Sequence, residues 1–253
     1  MAIFEYAGSR IHYTDSDAGA GRGRSSNGAG ARPALLLFAP GGMKSAADLW
    51  ANAPFDPRRA LGDRFRVIAM DQRNAGASTA PIAADHGWQT YTDDHVALLD
   101  HLGIERVAVL GMCIGGPFSL GLMARVPERV LAAVLLQPIG LDGNRDAFLA
   151  MFDDWAKALR PQRSDVPADA WAGLCGNLFG GDFVFSVSRD FVRSCRTPML
   201  IARGDDRYHP ASVSEEVAAL APDAELISDW KAPPARDAAV ERIRSFLDRR
   251  AQA

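Results

Sequence analysis

The stretch "VLGMCIGG", residues 109–116, decides how the rest of the chain is interpreted. An apolar run ends there, and one cysteine, Cys113, stands two residues after Gly111 and two before Gly115. Glycines at this spacing, between a strand and a helix, allow a tight turn that strains the central residue and exposes its side chain. The following helix points free amides and its positive dipole end at that side chain, which favours a thiolate. The pattern predicts a reactive Cys113; the alternative is an inert cysteine packed among small residues.

Apolar runs alternate with segments of helical periodicity on both sides of this stretch. The apolar runs span 34–39, 66–70, 106–111, 131–137 and 198–203, with a weaker run at 224–228. Helical periodicity covers 91–104, 114–126, 212–221 and 235–250. Unbroken apolar strands are typical of a sheet covered on both faces, so the alternation predicts an α/β protein with a mostly parallel, twisted sheet. Two short strands, 2–6 and 10–14, come first, and a long mobile hairpin loop is expected at 15–33.

Composition restricts the classes of function and partner. The 253 residues include 28 basic and 31 acidic ones, and the net charge of −3 gives no reason to expect a nucleic acid or an anionic membrane as partner. No apolar run approaches the roughly 18 residues of a membrane helix, and the amino terminus lacks a leader pattern, which predicts a cytoplasmic protein with a small-molecule substrate. Three cysteines without metal-type spacing support neither disulfides nor a metal site, no cofactor motif is present, and the oligomeric state is left open.

The stretch 141–196 interrupts the regular alternation. We predict a core formed by 1–140 and 197–253, with 141–196 inserted as a lid over the strand ends, where ligands bind in open α/β sheets. The inserted stretch is rich in aromatic residues: Phe148, Phe152, Trp155, Trp171, Phe179, Phe183 and Phe185.

Four motifs in series carry a resemblance to a known superfamily. They are "FAPGGM" (38–43), "MDQRNAGAS" (70–78), "GMCIGG" (111–116) and "ARGDDRYHP" (202–210). In order and spacing the chain resembles the α/β-hydrolase superfamily over nearly its whole length. Within that superfamily, "GMCIGG" resembles the nucleophile elbow, the tight turn between a strand and a helix that carries the nucleophile. A cysteine in this turn makes the chain similar to dienelactone hydrolases and polyhydroxyalkanoate synthases, which use Cys, Asp and His. The resemblance implies an α/β-hydrolase fold and a hydrolase or acyl transferase acting on an ester, thioester or related carbonyl substrate.

The resemblance also implies roles for individual residues. Cys113 would be the nucleophile, and the backbone amides of Gly42 or Met43 and of Ile114 would form the oxyanion hole. Asp206, four residues before Pro210, would be the catalytic acid. The neighbouring aspartate, Asp205, is its rival, and a solvated turn is the alternative for both.

The histidine of the family pattern is missing from its usual place after the last strand. That region reads "LISDWKAPPARDAAV", and Lys231 occupies roughly the expected position, where a solvated surface lysine is the favoured interpretation. His209, three residues beyond Asp206, is the candidate for a displaced base, a substrate-binding group or a turn histidine. His86 is a weaker candidate near the strand ends. The remaining histidines, whose expected roles are structural, are His12, His95 and His101.

Two other classes of function stay open at this point. A cysteine tolerates the loss of a base better than a serine, because its unperturbed pKa of about 8.5 is close to neutrality. The missing histidine also fits a small-molecule-binding pseudoenzyme that has kept the pocket and lost the chemistry. A lyase-type reaction, in which the oxyanion hole stabilises an enolate, is the third alternative.

Overall fold

An eight-stranded sheet runs through the middle of the protein. The computed structural model describes residues 2–18 and 32–251. Most of the loop predicted at 15–33 lies outside the described residues, and Asp15, its first residue, still belongs to a strand.

The sheet is antiparallel only at one edge. Its strands are β1 (Ala2–Tyr6), β2 (Ser9–Asp15), β3 (Ala34–Phe38), β4 (Arg66–Met70), β5 (Val107–Met112), β6 (Val130–Leu136), β7 (Met199–Ala202) and β8 (Ala224–Ile227). The order is β1-β2-β4-β3-β5-β6-β7-β8, and the strands from β3 to β8 pair in parallel. Every residue of β3 and β5 is buried, as expected where helices cover both faces. The predicted apolar runs correspond to these strands.

Eight α-helices pack around the sheet in the described part of the chain. They are α1 (Pro57–Leu61), α2 (Trp88–His101), α3 (Gly115–Arg125), α4 (Arg145–Leu159), α5 (Ala168–Phe179), α6 (Arg189–Ser194), α7 (Ala211–Leu220) and α8 (Ala235–Arg250). The apolar side chains of α2, α3, α4, α5 and α7 join one buried cluster, and those of α1 and α8 join a second cluster. The two clusters lie on opposite faces, because neighbouring positions of β5 and β6 alternate between them.

The helix predicted at 91–104 is displaced toward the amino terminus. It begins at Trp88, because the Gly87 amide donates to Thr90 Oγ1 at 3.2 Å and the indole of Trp88 is buried with its Nε1 donating to Leu178 O at 2.7 Å. It ends at His101, and Gly103 follows with a φ of 62° that favours glycine. A long-range contact therefore fixes the start of the helix.

Residues 141–196, which we call the inserted segment, lie between β6 and β7 and contain α4, α5 and α6. Aromatic side chains form its interior, with the rings of Phe148 and Phe179 stacked at 5.7 Å. Arg163 donates to Asn74 Oδ1 at 3.0 Å, in the loop that follows β4. Such contacts place the inserted segment against loops that follow the carboxyl ends of the strands.

Candidate active site

Cys113 directly follows β5, in the strained turn that leads through Ile114 into α3. Its φ of 61° lies in the left-handed region, which a cysteine adopts only when the surroundings impose it. A Cβ atom added at Gly111 would lie 2.0 Å from Gly115 O, and one at Gly115 would lie 2.3 Å from Phe38 O. The two glycines are therefore required by close backbone packing, and Cys113 between them is a partly buried residue.

The acid–base loop, which we define as residues 203–210 between β7 and α7, holds an Asp and a His in contact. His209 Nδ1 lies 2.8 Å from both carboxylate oxygens of Asp206. Asp206 Oδ1 also accepts from the backbone amides of Tyr208 at 2.9 Å and His209 at 3.1 Å. These bonds fix the imidazole ring, with Nδ1 occupied by the carboxylate.

The second nitrogen of this ring is the one available to the thiol. His209 Nε2 is buried and has no hydrogen-bond partner of ordinary geometry among the described residues. His209 and Cys113 lie close enough for each to alter the pKa of the other. The structure therefore brings together three residues that the sequence predicted separately: Cys113, Asp206 and His209.

The electrostatics of this group favour charge separation. Burial raises the pKa of the Cys113 thiol, but His209 and the backbone amides of Gly41 and Ile114 outweigh it, so this pKa lies below its ordinary value. Burial lowers the pKa of His209, but Cys113 and Asp206 outweigh it, so this pKa lies above its ordinary value. The two shifts favour a thiolate beside an imidazolium ion.

The backbone amide that reaches the thiol from the loop after β3 belongs to Gly41. The amide of Ile114 also contacts the thiol. The expectation that Gly42 or Met43 and Ile114 form the oxyanion hole stays a prediction, because a contact with the thiol does not identify the groups that would bind a substrate oxygen. Gly41 has a φ of 112°, which only glycine adopts readily, and Gly42 has a φ of 57°. Consecutive turn conformations of this kind cannot be assigned to individual residues from the letters "PGG" alone.

The rival carboxylate, Asp205, points to a different partner. It forms an ion pair with Lys231, which lies in the loop after β8. Trp230, beside Lys231, is fully buried and donates from Nε1 to Arg203 O at 2.8 Å. The loop after β8 thus supports the acid–base loop through Trp230 and Lys231.

The other histidines have structural surroundings. His86 Nδ1 accepts from Ala83 N at 3.3 Å, and burial together with the charge of Arg73 lowers its pKa. His95 is fully buried, with Nε2 2.8 Å from Gln72 Oε1, and burial lowers its pKa to about 3. These contacts hold His86 and His95 near Arg73 and Gln72, and none is recorded with Cys113.

Two residues from the inserted segment contribute to the site without any signal in the sequence. Met151 on α4 covers the loop after β3, because its Sδ lies 2.2 Å from where a Cβ of Gly42 would be. Asn144, at the start of α4, donates to Arg207 O at 2.7 Å, in the middle of the acid–base loop. Neither residue carries a sequence signal, because each depends on how the inserted segment folds back over the sheet.

No metal-type cluster and no membrane span accompany the site in the described residues. Within residues 2–18 and 32–251 no group of three or more His, Cys, Asp or Glu side chains is placed to hold a metal ion. No helix in the same ranges is long and apolar enough to cross a membrane.

The fold and the site define the class of protein. A family model described as alpha/beta hydrolase fold matches residues 34–184, so the chain belongs to the alpha/beta hydrolase fold family. The predicted fold is thereby confirmed.

Among curated relatives, the chain is 28% identical over 246 residues to "Putative carbamate hydrolase RutD" of Caulobacter sp. (strain K31), covering 83% of this chain and 89% of the relative. It is 29% identical over 238 residues to "Bifunctional esterase/perhydrolase DCH" of Acinetobacter calcoaceticus, covering 79% of this chain and 84% of the relative. The named activities of these relatives agree with the prediction that the chain is a hydrolase.

Solved structures support the fold. A hydrolase from Pseudomonas aeruginosa matches with a TM-score of 0.68 at 21% identity, covering 97% of both chains. The enol-lactonase from Burkholderia xenovorans matches with a TM-score of 0.66 at 20% identity, covering 98% of this chain and 100% of that one.

Proposed function

We propose that the chain is a hydrolase or acyl transferase that attacks an ester, thioester or related carbonyl substrate with Cys113. The observation that carries this proposal is the arrangement of His209, whose Nδ1 is held by Asp206 at 2.8 Å while Nε2 is left to the thiol. His209, in the loop after β7, would serve as the base that is missing from the loop after β8. A pseudoenzyme is accordingly less favoured, because that alternative depended on a missing base.

In the first half of the reaction the Cys113 thiolate attacks the carbonyl carbon, and the carbonyl electrons move to the oxygen. The amides of Gly42 or Met43 and of Ile114 donate to this oxyanion, and removal of one such donor typically costs about 3 kcal/mol. The tetrahedral intermediate then collapses to an acyl-cysteine thioester. The leaving group departs with the proton that His209 Nε2 supplies, and Asp206 stabilises the imidazolium ion before this transfer.

In the second half neutral His209 removes a proton from water or from an acceptor alcohol, amine or thiol. The resulting nucleophile attacks the thioester carbon, and the intermediate expels Cys113 as a thiolate. This restores the starting ion pair of thiolate and imidazolium. Water as the acceptor gives a hydrolase, and any other acceptor gives an acyl transferase.

The pH dependence follows from the directions of the two pKa shifts. The thiolate is lost as the pH falls through the lowered pKa of Cys113, and the proton donor is lost as the pH rises through the raised pKa of His209. Activity is therefore expected between these two limits, and a bell-shaped profile of kcat/KM against pH checks this.

The inserted segment is proposed to act as the lid of this site. Its helix α4 brings Met151 over Gly42, directly beside the amide of Gly41. Its interior is aromatic, with Phe148 packed edge-on against Phe185 at 4.9 Å. An apolar cover of this kind keeps bulk water from the thioester, and it favours substrates with an apolar acyl portion.

The test is covalent trapping. Wild type, Cys113→Ala and Cys175→Ala are incubated with a panel of activated esters and thioesters, and intact mass is recorded together with product release. Cys175 is the matched control, because it is also a partly buried residue but burial raises its pKa. We expect acyl adducts or turnover on wild type and Cys175→Ala and neither on Cys113→Ala.

Two outcomes contradict the proposal. Unchanged activity of Cys113→Ala on a substrate that wild type converts would remove the covalent mechanism and favour the lyase-type alternative. Tight binding of a small molecule to wild type without adduct or conversion, over the whole panel, would favour a binding protein.

A further inference from the structure

Asn144 holds an unusual position at the junction of the inserted segment and the acid–base loop. It immediately precedes α4, where an asparagine normally accepts a hydrogen bond from the first turn of the helix. Here its side chain makes no such cap bond, although it is buried, with 5% of its surface exposed. Its polar atoms must therefore be satisfied elsewhere.

The side chain bonds to two different parts of the chain. Oδ1 accepts from Asp142 N at 2.9 Å, and Nδ2 donates to Gly140 O at 3.2 Å, which shapes the start of the inserted segment. Nδ2 also donates to Arg207 O at 2.7 Å, across 63 positions of sequence. Arg207 lies between Asp206 and His209, so this bond reaches the short turn that carries both the acid and the base.

Hydrogen bonds within the turn of residues 206–209 hold its own shape, but its position relative to Cys113 depends on contacts from outside the turn. Asp206 N donates to His209 O at 3.3 Å, and His209 N donates to Asp206 O at 3.1 Å. These bonds, and those to Asp206 Oδ1, fix His209 relative to Asp206. They do not fix the turn relative to Cys113, which follows a different strand, β5.

The other contacts around the turn are weaker or further from it. Arg203 and Gly204, at the start of the loop, are bonded by Trp230 and by Ser214 Oγ. An ion pair joins Arg207 to Asp146, but both side chains are largely exposed, so we expect it to contribute little. Two buried side chains of α4 and its first flanking residue contact the middle of the turn. The ring of Phe148 packs edge-on against Tyr208 at 5.8 Å, and Asn144 forms the hydrogen bond to Arg207 O.

We infer that Asn144 is a positioning residue: its hydrogen bond to Arg207 O fixes the acid–base loop so that His209 Nε2 is directed at Cys113. The inference rests on the proposed function and deepens it, because it makes the geometry of the base depend on the first residues of the lid. In this arrangement the lid cannot move at Gly140–Asn144 without releasing the base.

The experiment measures the reactivity of the Cys113 thiol and needs no substrate. Wild type, His209→Ala, Asn144→Asp and Asp146→Asn are alkylated with iodoacetamide between pH 5 and 10, and the peptide containing Cys113 is quantified by mass spectrometry. Asn144→Asp keeps the size of the side chain and the oxygen that accepts from Asp142 N. It replaces the Nδ2 donor, which faces Gly140 O and Arg207 O, with a second oxygen. Asp146→Asn is the matched control, because it removes the exposed ion pair to the same loop residue.

We expect the alkylation midpoint of Asn144→Asp to move upward toward that of His209→Ala, because the thiolate loses the imidazolium partner. Below both midpoints, each pKa unit of upward movement lowers the alkylation rate about tenfold relative to wild type. Asp146→Asn is expected to follow the wild-type profile. The ionisable groups of the turn and of the segments packed against it include Asp142, Arg145, Asp146, Arg203, Asp205, Asp206, Arg207, Tyr208, His209 and Lys231, and of these only His209 is expected to change its relation to Cys113.

The remaining outcomes separate the two proposals. If His209→Ala shifts the profile but a folded Asn144→Asp follows wild type, the positioning role is wrong and the proposed function stands. If His209→Ala itself follows wild type, both fail, because there is no thiol–imidazole pair to position. Thermal melts identify a variant that does not fold, and Asn144→Ser, which removes the same donor with a smaller polar side chain, then gives the same test.

Discussion

The loop after β7 and the loop after β8 lie side by side, yet only the first carries groups that reach the thiol. The acid–base loop holds Asp206 and His209 in direct contact at 2.8 Å. The second loop, residues 228–234, offers Trp230 and Lys231, which bond to Arg203 and Asp205. The two loops therefore differ in what they bring to Cys113: the first places an imidazole beside the thiol, and the second supports the first through Trp230 and Lys231.

The largest expected difference between the two loops is obtained by removing the candidate base from each of them. His209→Ala is expected to lower kcat/KM about 10³-fold, within the usual range for a general acid–base. Lys231→Ala, its matched control, is expected to change kcat/KM by less than about twofold, because exposed ion pairs contribute little. Kinetics on the substrate found by trapping checks both. A large loss in Lys231→Ala with an active His209→Ala would reverse the assignment of the two loops.

The neighbouring carboxylates give the next largest contrast. Asp206→Asn is expected to lower kcat/KM about 10²-fold, because an amide facing Nδ1 favours the wrong tautomer of His209. Asp205→Asn loses only the ion pair with Lys231 and is expected to stay close to wild type. Steady-state kinetics of the two variants, measured side by side, compares them. Equal losses would show that both carboxylates serve the same function.

A smaller effect is expected for the support beneath the acid–base loop. Trp230→Phe keeps most of the buried ring but removes the hydrogen bond to Arg203 O, which is expected to lower the free energy of unfolding by about 1–2 kcal/mol. For a chain of this length that corresponds to a fall in Tm of roughly 2–8 °C. Thermal unfolding of Trp230→Phe and wild type measures it, and an unchanged Tm would mean that this contact does not support the loop.

The smallest expected effect belongs to the ion pair between the loops. Lys231→Met is expected to change the free energy of unfolding by less than about 1 kcal/mol, because both partners of the pair are partly exposed and screened by salt. Denaturant unfolding at low and high salt checks this, with Asp205→Asn as the reciprocal variant. A loss well above this limit would give the loop after β8 a larger structural role than its exposure indicates.

Most of the fold follows from local sequence patterns. Unbroken apolar runs such as 106–111 predict strands because a parallel sheet is buried on both faces. The glycines around Cys113 predict the elbow because a Cβ at Gly111 or Gly115 would meet backbone atoms. The start of α2 at Trp88 was less predictable, since its indole bonds to a residue 90 positions away.

By itself the sequence determined the sheet, the elbow with its cysteine, and the proximity of Asp206 to His209, because all of these depend on residues close in the chain. Three features depended on the tertiary structure: His209 lies beside Cys113, the Gly41 amide contacts the thiol, and Asn144 joins the inserted segment to the acid–base loop. The difference arises from the distance along the chain over which each interaction acts. Turn propensity and apolar periodicity act over a few residues, whereas a hydrogen bond such as that from Asn144 to Arg207 exists only after distant strands have assembled.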